Sequence, residues 1–416
     1  LTVSLTLSLA LSEVCYHNSQ CNYDLYGSKT PYESIRGDIR NAKPLPGCSI
    51  AGVWSLHRHG NRNPGTSATV NMKTLYDKLI VEIKKQFEEK TSVLCIQDVE
   101  DCVTSIWNST LQSSFSHLSA TGYEELYDIG KRVRQAFPSL FNFSNSSFYF
   151  RPTNEQRTIT SAIAYVHGFT DGTGIDLSNH IDAPLGRDDV IRVTERVQKR
   201  LNTTYKISPE EVFFLYEYCR FHRSWSKGLK DPWCSVFSQK DLEVLEYKDD
   251  MRHYHRNGYG SRINVNLGAG PLKNLYETFA SLAENGGEKF IAYFTHDTIM
   301  EMTTCALGLY KDKAPLRGSR INVDRVWRTS HIGAFAVNYI AVLYRCESTD
   351  QPVYKVQLFH NEKTTSICPE EGCTWEQFVD KFKIYSDPNI ELCSDNEYEF
   401  HHINVAPAPR LFSIGK

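Results

Sequence analysis

Residues 49–67 read SIAGVWSLHRHGNRNPGTS, and the passage changes character at Leu56. Its first eight residues are a mostly apolar run behind the turn-forming PLPGC of Pro44–Cys48, which predicts a buried strand. The remainder is polar, carries Gly and Pro, and predicts the loop that leaves that strand. Next, Thr69–Lys90 places Met72, Leu75, Leu79, Ile80 and Ile83 at the three-four spacing of an amphipathic helix. A second helix is expected from Ala120 to Phe137, with Ser119 as N-cap and Pro138 as its stop.

The same unit recurs further on. A short aromatic strand (SFYFR, 147–151) leads through PTNEQRT into a small-residue helix that continues through SAIAYVHGF. Lys289–Thr295 (KFIAYFT) is another apolar strand, followed at once by His296-Asp297 and a helix-like TIMEMTTCALGLY. Two late strands, FAVNYIAVLYRC and VYKVQLFHNE, close the core region. Strands alternating with helices predict an α/β fold, a central, mostly parallel sheet flanked by helices, with polar residues at strand ends marking where a site should sit. Residues 171–284 are polar and helix-rich without clear period-two strands, and are expected to form a largely helical cap inserted into a core of 13–170 and 285–416.

The 416 residues are 41% hydrophobic and 23% charged, enough apolar material for a sizeable core. Lys and Arg (46) nearly balance Asp and Glu (49), which argues against nucleic acid or an anionic membrane as a partner. The opening LTVSLTLSLALS is apolar, ends in small residues and is too short to span a bilayer, so 1–12 reads as a truncated signal peptide; a buried N-terminal strand is the alternative. Twelve cysteines and four Asn-x-Ser/Thr sequons, at Asn108, Asn142, Asn145 and Asn202, agree with secretion through the endoplasmic reticulum, disulfide bonds and glycosylation. Short-range pairs such as Cys95 with Cys102, Cys219 with Cys234 and Cys368 with Cys373 are plausible, although spacing alone does not determine connectivity. Neither the cysteines nor the histidines show zinc-ligand spacing, so no metal and no cofactor is expected.

The chemistry is concentrated in Arg58-His59-Gly60-Asn61-Arg62-Asn63-Pro64, two guanidinium groups around one imidazole directly after a buried strand. Arg presents a planar fork of donors suited to phosphate oxygens, and a neutral imidazole nitrogen can attack phosphorus to give a phosphohistidine. Neighbouring positive charge also disfavours protonation of that imidazole. A solvated Arg pair beside an incidental His would explain this loop alone. Arg157-Thr158 and His296-Asp297, however, also fall at strand-to-helix transitions. Phosphoryl transfer needs cationic donors, an in-line nucleophile and an acid for the departing alkoxide. Arg58, Arg62, Arg157 and His296 are candidates for the first, His59 for the second and Asp297 for the third. Taken singly, Arg157 could cap a helix and His296-Asp297 could satisfy a helix start.

The RHGxRxP loop, the RxxxxxRTxxSA context of Arg157 and the late His-Asp together resemble the histidine acid phosphatase family, branch two of the histidine phosphatases. GYGSRIN at 258–264 and KVQLFHNE ending at Glu362 are similar to the multiple inositol polyphosphate phosphatases within it. The resemblance implies an α/β core with a helical cap, metal-independent hydrolysis of phosphate monoesters and a covalent phosphohistidine on His59. It further implies phosphate binding by Arg58, Arg62, Arg157 and His296, and proton donation by Asp297. One departure bears on substrate: the inositol polyphosphate branch commonly shows His-Ala-Glu at the third motif, where this chain has His-Asp-Thr.

A substrate with several phosphates calls for cations beyond those needed for chemistry, and Arg252, Arg256 and Arg262 are candidates within a wider basic set that includes Arg220 and Arg223. Trp225 and Trp233 read as cap core, and His253 and His255 as surface or cap-packing residues. The expected function is a secreted phosphomonoesterase acting on inositol polyphosphates such as phytate. The alternatives are a broad-specificity acid phosphatase and a secreted inositol-phosphate binder with little turnover, with a phosphohistidine transferase as a further option. Sequence leaves the oligomeric state open.

Overall fold

The computed structural model describes residues 23–138, 146–153, 155–171, 197, 200–202, 204–225, 232–316, 321–348 and 352–387. The opening twelve residues expected as a leader, and Asn142 and Asn145, lie outside them. Among the described residues the elements run β1 (Cys48–Arg58), α1 (Thr66–Glu89), α2 (Ile96–Thr104), α3 (Ala120–Ala136), β2 (Ser146–Pro152), α4 (Gln156–Phe169), α5 (Pro209–Trp225), α6 (Gln239–Arg256), α7 (Ile263–Leu267) and α8 (Ala269–Asn285). They continue as β3 (Glu288–Thr295), α9 (Asp297–Ala306), α10 (Thr329–Ile332), β4 (Asn338–Cys346), β5 (Val353–His360), β6 (Lys363–Thr364), β7 (Cys373–Thr374) and α11 (Trp375–Phe382).

The strands form one mixed sheet in the order β2-β3-β1-β4-β5-β6, with β7 paired to β5. β2, β3 and β1 are parallel, the arrangement expected for strands joined through helices, while β4, β5, β6 and β7 pair antiparallel. Alternation along β1 explains why it is buried on both sides. Trp54 and Leu56 face a cluster with Leu275, Phe279 and Leu282 of α8 and Phe378 and Phe382 of α11. Val53 faces the opposite cluster, with Leu126, Ile129 and Val133 of α3 and Tyr165, Val166 and Phe169 of α4. Ser119 caps α3 as anticipated, its hydroxyl accepting from the Gly122 amide, and the helix ends at Ala136, two residues before Pro138.

The chain divides into two compact units, one of Leu1–Tyr23, Pro64–Phe115 and Val190–Leu245 and one of Asp24–Asn63, Ser116–Asp189 and Glu246–Lys416. The stretch expected as a cap therefore contributes to both. Residues 190–245 group with α1 and α2, whereas α7, α8 and most of α6 group with the sheet. In the first unit the buried Trp233 packs against Tyr76 and Tyr218, a core role. No described helix is long and apolar enough to cross a membrane.

Disulfides join Cys219 to Cys234 and Cys368 to Cys373, as the spacing proposed, and also Cys48 to Cys346, the paired end residues of β1 and β4. The Cys95–Cys102 pairing is incorrect: Cys102 is a free, buried thiol and Cys95 is bonded elsewhere. The intervening helix α2 is the reason. Seven residues of α-helix advance about 10 Å, beyond the Cα separation of about 7 Å that a disulfide can bridge.

Candidate active site

Parallel pairing sets the position of the site. Arg58, the last residue of β1, is paired with Thr295 at the end of β3, and Pro152 at the end of β2 with Phe294. The three chain segments that leave these strands therefore emerge along one edge of the sheet, which brings together Arg58-His59, Thr153–Arg157 and His296-Asp297. The loop after β1 is pressed onto the start of α3: a Cβ at Gly60 would collide with the Gly122 carbonyl oxygen. The Gly60 amide donates to Ser161 Oγ (3.0 Å) and the Asn61 amide to Glu125 Oε2 (2.7 Å).

His59 is 2% exposed, and its Nδ1 lies 2.8 Å from the Gly60 carbonyl oxygen. A carbonyl only accepts, so Nδ1 carries the proton and Nε2 keeps its lone pair. Burial, and then Arg58, Arg157, Arg62 and His296, holds the imidazole well below its ordinary pKa and hence neutral. The sequence reading identified the arginines and missed burial, the larger cause. His296 stands 5.6 Å from His59 between ring centroids, edge to face, with its Nε2 2.9 Å from Thr153 Oγ1.

Arg58 is held on three sides. Its Nη1 donates to the carbonyl oxygens of Ser28 (2.6 Å) and Gly333 (2.5 Å), its Nη2 lies 3.1 Å from Asp297 Oδ2, and the guanidinium covers the Phe335 ring at 4.7 Å. Arg157 is buried and paired with Glu155. Arg62 donates to the Asn63 carbonyl oxygen (2.7 Å) and forms a β-bridge with Leu118. Burial alone would raise the Asp297 carboxyl, but Arg58, then His253, Lys29 and His59, outweigh it and hold Asp297 well below the usual carboxylate range. The arrangement is a neutral nucleophile ringed by cations with one carboxylate beside them, suited to an anion that undergoes substitution.

Of the proposed auxiliary cations, Arg252 faces its helical neighbour Asp249 at 3.5 Å, and Arg256 and Arg262 are exposed. Reading His253 as a surface or cap-packing residue needs correction. It is 3% exposed, with Nδ1 2.8 Å from Glu301 Oε1, and belongs to the unit that carries the sheet. His255 is exposed. Sequence reasoning also missed Lys29, Glu125, Asp249 and Glu301. None has a local motif, and only the acidic residue one turn after Asp297 offered a signal.

Comparison with known proteins identifies the family. The family model described as histidine phosphatase superfamily (branch 2) matches residues 49–194 and 187–361. Multiple inositol polyphosphate phosphatase 1 of Drosophila melanogaster is 25% identical over 426 residues, covering 92% of this chain and 90% of that protein. The crystal structure of the phytase from D. castellii superposes with a TM-score of 0.67 at 17% identity, covering 89% of each chain. That of Bifidobacterium longum multiple inositol polyphosphate phosphatase in complex with inositol hexasulfate gives 0.62 at 14% identity, covering 83% of this chain and 94% of that one. The family match spans most of the sheet and every segment that meets at its edge, and the chain belongs to the histidine phosphatase superfamily, branch 2.

Proposed function

We propose that this protein is a phosphomonoesterase that removes phosphate from inositol polyphosphates through a phosphohistidine on His59. The observation that carries the reading is the tautomer of His59: with Nδ1–H given to Gly60, Nε2 is the free nucleophile in a cluster of cations. In the first half-reaction Nε2 attacks phosphorus as the ester P–O bond breaks, while Arg58, Arg62, Arg157 and His296 hold the phosphoryl oxygens. Asp297 gives its proton to the leaving alkoxide. Water then attacks the phosphohistidine, the N–P bond breaks, and the Asp297 carboxylate recovers a proton from that water, releasing inorganic phosphate and neutral His59. Asp297 is ionised in the free site because of its cationic neighbours; a bound phosphate dianion offsets their field, so the acid proton arrives with substrate.

Inositol polyphosphates are the substrate class named for similar proteins: the Drosophila relative is a multiple inositol polyphosphate phosphatase, and the Bifidobacterium enzyme was crystallised with inositol hexasulfate. The disulfides support passage through an oxidising secretory route. Asn108 and Asn202 are exposed and open to glycosylation.

Purified protein with phytate and a chelator should release phosphate, and protein quenched in alkali, where an N–P bond survives, should retain label from a labelled ester. His59→Ala should abolish both while leaving the fold intact. Cleavage of an aryl phosphate with none of phytate would instead favour a broad acid phosphatase, and phytate binding without release would favour a binding protein.

A further inference from the structure

Beneath the reacting groups lies a second set of buried, titratable side chains that the mechanism does not use. Asp297 and Glu301 are four residues apart on α9 and so share a face of that helix. Glu301 is fully buried; its Oε2 accepts from His253 Nδ1 (2.9 Å) and from Asn257 Nδ2 (2.8 Å), both on or just after α6, and its Oε1 lies 2.8 Å from the same His253 nitrogen. On the far side of the ring, His253 Nε2 lies 3.8 Å from Asp249 Oδ1 and makes no hydrogen bond among the described residues. Asp249 Oδ2 accepts from the Ser28 amide (3.1 Å), and the Ser28 carbonyl accepts from Arg58, which reaches Asp297. The contacts close a ring: Asp297, Arg58, Ser28, Asp249, His253, Glu301, and back along α9 to Asp297. A side chain at Gly333, whose carbonyl also holds Arg58, would strike Glu301 Oε1, so Glu301 sits against the backbone that carries the clamp.

His253 Nδ1 and Glu301 Oε2 stand 2.9 Å apart, so a proton lies between them. We infer that His253, paired with Glu301, is a positioning residue for the acid step: it fixes the frame that carries Arg58 and Asp297 and contributes positive charge to the surroundings of Asp297. This rests on the phosphatase reading given above. The charged and titratable groups around Asp297 come from several elements: Arg58 at the end of β1 with the imidazole of His59 just after it, Lys29 on the turn at 27–29, Arg157 on α4 and His253 on α6. Around His253 they are Glu301 and Asp297 on α9 and Asp249 on its own helix. His253 and Glu301 can each be neutralised without touching a group assigned to the chemistry.

The test is the pH dependence of kcat and kcat/KM for full-length His253→Gln, Glu301→Gln and the double variant on phytate and on p-nitrophenyl phosphate, with folding followed by thermal melting. Removing the positive charge of His253 should let Asp297 hold its proton to higher pH, whereas removing the negative charge of Glu301 should not. For His253→Gln we expect the alkaline limb of kcat to move up by about half a pH unit, for Glu301→Gln no upward movement, and for both kcat at the optimum to fall about tenfold with KM within about twofold. The double variant, which loses one charge of each sign, should shift the limb less than His253→Gln and, because the pair acts as a unit, lower kcat no further than either single change. If Gln at 253 prevents folding, Glu301→Gln, which keeps side-chain size, carries the test through a fall in kcat at unchanged KM with no upward shift of the limb. A folded single variant with wild-type kcat, or an upward shift of the limb in Glu301→Gln, overturns the inference. A wild-type chain that cleaves neither substrate overturns the phosphatase reading instead.

Discussion

Nη2 of Arg58 lies 3.1 Å from Oδ2 of Asp297, joining a guanidinium that is almost wholly buried to a carboxylate whose side chain keeps 24% of its accessibility. The contact links the candidate clamp to the proposed acid, and it fixes how the two groups stand before substrate arrives. Arg58 cannot swing away, since two carbonyl oxygens also hold it. Asp297 faces outward from that anchor, where a leaving group can reach it.

Asp297→Asn should therefore separate substrates by leaving group. The variant keeps a hydrogen-bonding side chain next to Arg58 but has no proton to give, so kcat on an inositol phosphate should fall about 10²–10⁴-fold. An aryl phosphate, whose phenolate departs without help, should lose much less. Steady-state rates on the two substrates check this; equal losses would remove Asp297 from the acid role.

Acid sensitivity of the fold should come from buried imidazoles. His57 lies between Tyr165 and Phe294 in the core, and burial pushes it down to about 3; His360 is likewise pushed to about 3, by burial and then by His331 and Lys363. Both groups stay neutral in the folded chain and take up protons in the unfolded one, so the stability they contribute is present above about pH 6.5 and is lost as pH falls from there toward 3. At pH 5 each should cost about 2 kcal/mol. His57→Phe, which suits its aromatic surroundings, should reduce the drop in melting temperature between pH 7 and pH 5, measured by calorimetry.

Glu362 illustrates a motif residue whose role is structural. Although it lies in the segment KVQLFHNE that resembles the inositol polyphosphate branch, its carboxylate is buried and accepts from Arg132 (2.6 and 2.7 Å) and from the Tyr32 hydroxyl (2.9 Å). Glu362→Ala leaves a buried guanidinium unpaired and should destabilise the fold by about 3–5 kcal/mol, read by urea unfolding. At temperatures where the variant stays folded, its KM should match that of the wild type.

Gly60→Ala tests the seat of the nucleophile. The added methyl meets the Gly122 carbonyl, which is backbone and cannot rotate aside, so the loop must shift and carry His59 with it. A displacement of about 1 Å at the reacting group is enough to cost about 10²-fold in kcat. A variant with wild-type turnover would show that the loop tolerates the shift.

Much of the fold was legible locally. The apolar runs at 49–56 and 289–295, the periodic helices at 69–90 and 120–137 and the cap at Ser119 all appear close to their expected positions, because strand and helix periodicity are properties of neighbouring residues. The candidate site residues were legible for a related reason: Arg58, His59, His296 and Asp297 lie at or directly after the ends of β1 and β3, and Arg62 and Arg157 a few residues beyond a strand, in short passages whose residue types suit one chemistry.

The sequence by itself therefore determined the elements, the α/β class and the candidate residues of the site. Tertiary structure decided the rest: that three strands pair in parallel register, so that segments far apart in the chain share one edge; that Cys48 finds Cys346 rather than a near neighbour; and that His253 turns inward to Glu301. These are long-range pairings. They depend on which surfaces come together when the core closes, and no periodicity within a single segment records that choice.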